Sequence, residues 1–266
     1  MSPDRQQNRW IAFRKTTPDA RVRLFCLPYA GAGASVFRPW VDLLPPEIEL
    51  CAIQLPGREE RSREERFTRI DPLVEDLARH LEGSLDRPFA LFGHSMGSVI
   101  AYELACFLRR AGLPEPLHLF VSGRRAPQVP YGRDPVHGLD EEAFIRKLRE
   151  LNGTPEEVFQ HPDLLAYVLP TLRADFAICE TYAYRSEAPL RCPISAFGGQ
   201  GDAEVSEEGL AKWGQLTAGG FRMELFPGGH FFVHECRQRL LATLVDDLRR
   251  TTAAAFARAA VINGHG

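Results

Sequence analysis

Apolar residues along this chain concentrate in short strand-like runs, separated by longer stretches with helical spacing. The runs are Val22 to Leu27, Glu49 to Gln54, Phe89 to Phe92, Leu117 to Ser122, Ile194 to Phe197 and Arg222 to Phe226. Their length and composition predict strands, and the unbroken Phe89 to Phe92 run predicts a buried one. Trp10 to Phe13 reads as a further, shorter edge strand. Ser98 to Ala111 predicts a helix, with Val99, Ile100, Leu104, Cys106, Phe107 and Leu108 as its apolar positions and Gly112 and Pro114 beyond its end. Asp71-Pro72 reads as N-cap and first helical residue of a helix that carries Leu73, Val74, Leu77, Leu81 and Leu85 on one stripe. Ser35 and Ser206 read as caps of two more helices, the second running to about Leu216. A final helix carries Leu240, Leu241, Leu244, Val245 and Leu248, and the alanine-rich tail beyond Thr251 is expected to fray. Strands alternating with helices predict an α/β fold with a mostly parallel central sheet.

The alternation stops after Gly123. Pro127, Pro130, Gly132 and Pro135 mark an irregular passage, and Asp140 to Leu151 then reads as a helix. Thr154-Pro155-Glu156-Glu157 reads as a capping box with proline at its first helical position, and Leu164 to Tyr184 as helical with an interruption at Pro170. No strand is predicted from Gln128 to Arg191, so the chain reads as one domain, 1–266, carrying a helical insertion at 128–191. Such insertions emerge at the carboxyl ends of strands, where open α/β sheets place their sites, which favours a lid over a mere packing layer.

The candidate chemistry centres on Gly93-His94-Ser95-Met96-Gly97, set between the Phe89–Phe92 strand and the following helix. Strand, G-x-S-x-G, helix is the setting of a nucleophile elbow, with glycines where a side chain would crowd the neighbouring backbone. A serine hydroxyl needs a base, and the base needs a carboxylate to hold its tautomer. Ser95, Asp202 and His230 come in the chain order this build requires, each on a loop after a strand. Glu204 is the fallback acid, two residues on. His94 adjoins the nucleophile but points into the sheet; His80, His118, His137, His161 and His234 lie in helix, strand or insertion settings. The Met96 N–H follows from the elbow as one oxyanion donor. The small-residue loop Pro28 to Ala34 supplies the second, most simply from Ala30. That loop lacks the Lys-Ser/Thr ending and the full G-x-G-x-x-G of nucleotide sites. No histidine or cysteine spacing suggests a metal, and no cofactor is predicted.

Charge and cysteine usage narrow the setting. The 266 residues carry a formal charge of −3, which argues against a nucleic-acid partner. No apolar run has membrane-span length, and Met1 to Arg9 is polar with no signal-peptide core, so a cytoplasmic location is expected. Six cysteines without close pairing read as reduced thiols, four of them in apolar patterns. Arg58 to Arg66 alternates arginines with glutamates and reads as a solvated loop rather than an anion patch.

Six segments together resemble one family, the type II thioesterases of polyketide and nonribosomal peptide synthesis with the related fatty-acid chain-terminating enzymes. They are Leu27-Pro28-Tyr29-Ala30-Gly31, Leu55-Pro56-Gly57-Arg58-Glu59, the elbow, Ser122-Gly123-Arg124-Arg125-Ala126-Pro127, Leu172-Arg173-Ala174-Asp175-Phe176 and Gly228-Gly229-His230-Phe231-Phe232. The resemblance covers most of the chain; Ala32-Gly33 departs from the family's usual Gly-Gly or Gly-Ser. It implies an α/β-hydrolase fold with a helical lid and a Ser-Asp-His triad. It also implies a monomer that hydrolyses acyl thioesters on the phosphopantetheine arm of an acyl or peptidyl carrier protein. Carriers are acidic around that arm, which makes Arg58, Arg61, Arg124 and Arg125 the candidate docking residues, with internal pairing of Arg124 or Arg125 the alternative. A carboxylesterase or lipase, an acyltransferase, and a non-catalytic binding protein of the same fold remain the alternatives.

Overall fold

A computed structural model describes residues 8–263 apart from Tyr131 and Asn152. Its strands are β1 (Ile11–Arg14), β2 (Val22–Leu27), β3 (Ile48–Ile53), β4 (Phe89–His94), β5 (His118–Ser122), β6 (Ile194–Gly199) and β7 (Phe221–Phe226). They form one sheet in the order β1-β3-β2-β4-β5-β6-β7. All neighbours pair parallel except β1, which runs antiparallel to β3 at one edge.

Unbroken apolar runs have a direct physical reason here, because both sheet faces are covered. In β2, Phe25 and Leu27 join a core beneath α1 (Ile70–Leu81) and α2 (Met96–Arg110), while Leu24 and Cys26 join a second core on the other face. In β4, Leu91 faces the first core and Phe92 the second. The second core is closed by a 3-10 helix, Ala34–Trp40, and by α8 (Arg237–Asn263), which contributes Leu240, Leu241 and Leu244. β7 is the far edge, and its first two residues are exposed.

Between β5 and β6 lie α3 (Glu141–Leu151), α4 (Glu156–Gln160) and α5 (Pro162–Glu180), with no strand among the described residues there. Phe144, Leu148, Phe159, Leu169 and Leu172 give this segment a small core of its own. Two short helices follow β6 and β7: α6 (Glu207–Ala211), which Ser206 caps by accepting from the Gly209 N–H, and α7 (Phe232–Glu235).

Several predicted boundaries move. Ser35 is inside the 3-10 helix rather than at its cap, since its hydroxyl is turned to Glu59. α1 starts at Ile70, one residue before the predicted cap; Asp71 and Pro72 sit in its first turn, where a missing N–H costs nothing. Thr154 makes no cap, and Pro155 takes that position in extended conformation. α5 runs through Pro170 and stops at Glu180, because burial of Leu169, Thr171 and Leu172 outweighs one lost backbone bond. α8 continues to Asn263 instead of fraying at Thr251, in keeping with the high helix propensity of its alanines. The last three residues, also expected to fray, lie outside the described residues. All six cysteines are free thiols, and burial pushes those of Cys51, Cys106 and Cys192 up to about 12. None of the described helices is long and apolar enough to cross a membrane.

Candidate active site

The turn from β4 into α2 places Ser95 at φ 54°, ψ −114°, a strained conformation for a residue with a side chain. Strain of this kind persists only where neighbours fix the backbone. The Ser95 N–H donates to the Ser122 carbonyl at 2.7 Å, and the Ser98 hydroxyl donates to the Gly93 carbonyl at 2.8 Å. At Gly97 an added Cβ would stand 2.3 Å from the Leu27 carbonyl oxygen, so α2 begins hard against the end of β2.

Two other strand ends complete the arrangement. Asp202 follows β6, and its side chain is fully buried. His230 follows β7, and the two loops are joined by the Gly201 N–H donating to the Gly228 carbonyl at 2.8 Å. His230 Nδ1 lies 2.8 Å from Asp202 Oδ2, and His230 Nε2 lies 3.1 Å from Ser95 Oγ. A carboxylate only accepts, so Nδ1 carries the proton and Nε2 is left to receive the serine hydroxyl proton. Asp202 Oδ1 accepts from the Glu204 N–H at 2.8 Å. The Glu204 carboxylate turns away to Arg133 at 2.6 Å, which leaves Asp202 as the acid facing His230.

His94 is buried beneath His230, ring centroids 5.3 Å apart, with Nδ1 2.9 Å from the Ser122 hydroxyl. Burial first, then the neighbouring His230 and His234, hold its pKa well below the ordinary histidine value, so it stays neutral. Tyr29 closes the other side, its hydroxyl 3.0 Å from His234 Nε2 and its ring 5.1 Å from that of Phe231.

Ser95, His230 and Ala30 open onto a cavity of about 100 Å³. Its opposite wall is apolar and comes from the helical segment: Leu148 and Leu151 of α3, Leu172 and Phe176 of α5. Met96 opens α2, where the first N–H groups have no partner within the helix. In the loop after β2, the Gly31 N–H donates to Asp175 and the Ala32 N–H to the Tyr29 carbonyl. Tyr29 and Ala30 are the residues of that loop that line the cavity with Ser95. No group of three possible metal ligands occurs among the described residues.

Residues 22–250 match the family model described as the thioesterase domain. The chain belongs to the thioesterase family. This thioesterase is 44% identical over 244 residues to the gramicidin S biosynthesis protein GrsT of Aneurinibacillus migulanus, covering 92% of the chain and 95% of the relative. It is 37% identical over 250 residues to the thioesterase PikA5 of Streptomyces venezuelae, covering 94% and 89%. The solved RedJ thioesterase of the prodiginine pathway in Streptomyces coelicolor superposes with a TM-score of 0.81 at 42% identity, over 86% of this chain and 91% of that one.

Two arginines of the thioesterase correct the sequence reading. Arg58 was a docking candidate, yet it is only 6% exposed and its guanidinium is paired with Asp175. Arg61, also a docking candidate, is likewise buried, its guanidinium 4.5 Å over the Trp10 ring and bonded to the Gln54 carbonyl and Glu64. The 58–66 segment is therefore anchored at Arg58 and Arg61, while Glu60, Arg63 and Glu65 remain exposed as expected of a solvated loop. Arg124 and Arg125 are half-buried in the cavity wall, Arg124 beside the Cys179 thiol. Asp175, in the Leu172–Phe176 motif, has a structural role that sequence reasoning misses. Its signal was a carboxylate standing between Leu172 and Phe176 on an otherwise apolar helix face.

Proposed function

We propose that the protein is an editing type II thioesterase, a monomer acting in the cytoplasm. It clears acyl groups held as thioesters on the phosphopantetheine arm of acyl or peptidyl carrier proteins. The observation that carries this reading is the chain of contacts from Asp202 through His230 to Ser95, opening into a cavity whose opposite wall is apolar. Similarity to proteins of gramicidin S and prodiginine biosynthesis supports the choice of substrate.

Ser95 Oγ attacks the thioester carbonyl carbon while His230 Nε2 takes its proton. The carbonyl oxygen becomes an alkoxide, received by the N–H groups of Met96 and Ala30. Collapse breaks the carbon–sulfur bond; the pantetheine thiolate leaves and takes the proton from His230. Water, deprotonated by the same nitrogen, then attacks the acyl-serine, and a second collapse returns free acid and the Ser95 hydroxyl. The 128–191 segment acts as the lid, because its α3 and α5 side chains supply the wall that keeps bulk water from the acyl group.

Carrier-bound, pantetheine-bound and matched oxygen-ester substrates of the same acyl group test the proposal. Free acid should form from both thioesters with kcat/KM well above that for the ester. A preference for the ester, or transfer to an added alcohol or amine instead of water, would overturn it. Arg124 and Arg125 are proposed to contribute positive charge to the carrier dock. Charge reversal there should raise KM for the carrier substrate severalfold and leave the pantetheine substrate unchanged; parallel losses on both would make these arginines structural.

A further inference from the structure

The loop that carries Ala30 is held by a device that the hydrolysis mechanism does not use. The Asp175 carboxylate, completely buried on α5, takes three donors. Arg58 Nη1 reaches Oδ2 at 2.6 Å, Arg58 Nη2 reaches Oδ1 at 2.8 Å, and the Gly31 N–H reaches Oδ2 at 2.7 Å. Arg58 Nη1 also donates to the Ala32 carbonyl at 3.2 Å. One carboxylate thus joins α5, the 55–58 loop and the oxyanion loop. A buried ion pair of this kind is often no more stabilising than apolar residues of the same volume. Its presence calls for a reason other than stability.

That reason lies in the turn it grips. The Ala32 N–H donates to the Tyr29 carbonyl at 3.1 Å, and Gly31 has φ +80°. Those are the marks of a type II turn, with Ala30 and Gly31 as its central residues. Types I and II differ by a flip of the peptide plane between those two residues. Asp175 accepts the N–H of that plane; after a flip it would face the Ala30 carbonyl oxygen instead, two acceptors in a dry site. From above, α5 packs so closely that a Cβ on Gly31 would stand 2.5 Å from the Leu172 side chain. We infer that Asp175, steadied by Arg58, is a positioning residue that holds the 29–32 turn in place, so that the Ala30 N–H, carried by the adjoining Tyr29–Ala30 peptide whose carbonyl accepts from Ala32, is presented to the oxyanion. This rests on the proposed Ser95 chemistry, and it assigns the turn a conformation that α5, not the loop itself, maintains.

Two uncharged double variants separate acceptance of the Gly31 N–H from the ion pair. Arg58→Met/Asp175→Asn keeps an oxygen for the Gly31 N–H, whereas Arg58→Met/Asp175→Leu removes it. Acyl-pantetheine turnover and inhibition by a trifluoromethyl ketone analogue, which forms a tetrahedral alkoxide on the serine, are measured at a temperature below both Tm values. The asparagine protein should keep kcat within about threefold of wild type. The leucine protein should lose about 10²-fold in kcat with little change in KM, the usual cost of one oxyanion donor. Its inhibition constant should rise in proportion to the loss in kcat/KM. Should that variant not fold, Arg58→Met/Asp175→Ala makes the same comparison. Equal activity of the two folded proteins, or losses that follow Tm in both, would overturn the inference. Ser95→Ala, assayed alongside, tells the two failures apart. If it is inactive while the leucine protein works, only the positioning role falls; if it turns over normally, the Ser95 reading falls first.

Discussion

Replacing Gly97 by alanine should damage catalysis far more than folding. The new Cβ would stand 2.3 Å from the Leu27 carbonyl oxygen and 2.8 Å from that of Pro28, both backbone atoms. Reaching even 3.0 Å, below which real Cβ contacts essentially never occur, requires α2 and the end of β2 to part by roughly 0.7 Å. Ser95 lies two residues before Gly97, and Ala30 three residues after Leu27, so the gap between nucleophile and oxyanion loop opens by a similar amount. A donor at about 2.9 Å would move to about 3.6 Å, which is no longer a hydrogen bond. Losing one such donor lowers kcat by on the order of 10²- to 10³-fold, about 3–4 kcal/mol of barrier. Overpacking at one site costs about 1–3 kcal/mol of stability, a fall in Tm of roughly 10 °C at most for a chain of this size. The assay is acyl-pantetheine hydrolysis beside a thermal melt, with Gly83→Ala as control, since a Cβ there meets nothing within 4 Å. Gly97→Ala activity within twofold of wild type at an unchanged Tm would refute the reasoning.

Two further outcomes follow from the geometry. Asp202→Asn should leave the fold intact and lower kcat by up to about 10⁴-fold through the wrong imidazole tautomer. Glu204→Gln, which removes only a partly exposed pair with Arg133, should stay within about threefold; the reverse ranking would move the acid to Glu204. His118 gives a pH signature in stability. Burial, against the opposing pull of Asp247 and with the help of Arg250, lowers its pKa to about 4. Between the ordinary value near 6.5 and about 4, the unfolded chain binds a proton that the folded one does not. Stability therefore falls as pH drops through that window, by on the order of 3 kcal/mol in all, and the residue contributes no pH dependence above it. Melts from pH 7.5 to 4 should show a shallower decline for His118→Gln than for wild type, and parallel curves would reject this assignment.

Much of the sheet is legible in the sequence because parallel strands buried on both faces leave unbroken apolar runs, as in Phe89 to Phe92. The elbow is legible for a related reason: Gly93 and Gly97 are dictated by backbone contacts local to the motif. Helix ends were harder to read. Ser35, Asp71 and Thr154 all have good capping chemistry, but tertiary partners, such as Glu59 for Ser35, decide where each side chain turns. Pro170 and the alanine tail of α8 failed as breakers for the same reason, packing or propensity outweighing a local signal. Arg58 was misread because charge balance along 58–66 says nothing of a partner 117 residues away on α5.

The most direct test of a Ser95 nucleophile is to trap the acyl-enzyme. Wild-type protein mixed with acyl-carrier substrate and quenched in acid within milliseconds should gain the mass of one acyl group. Peptide mapping should place it on the segment containing Ser95, and Ser95→Ala should show neither the adduct nor more than about a thousandth of wild-type turnover. An acyl group found on another residue, or turnover by Ser95→Ala above a tenth of wild type, would contradict the assignment.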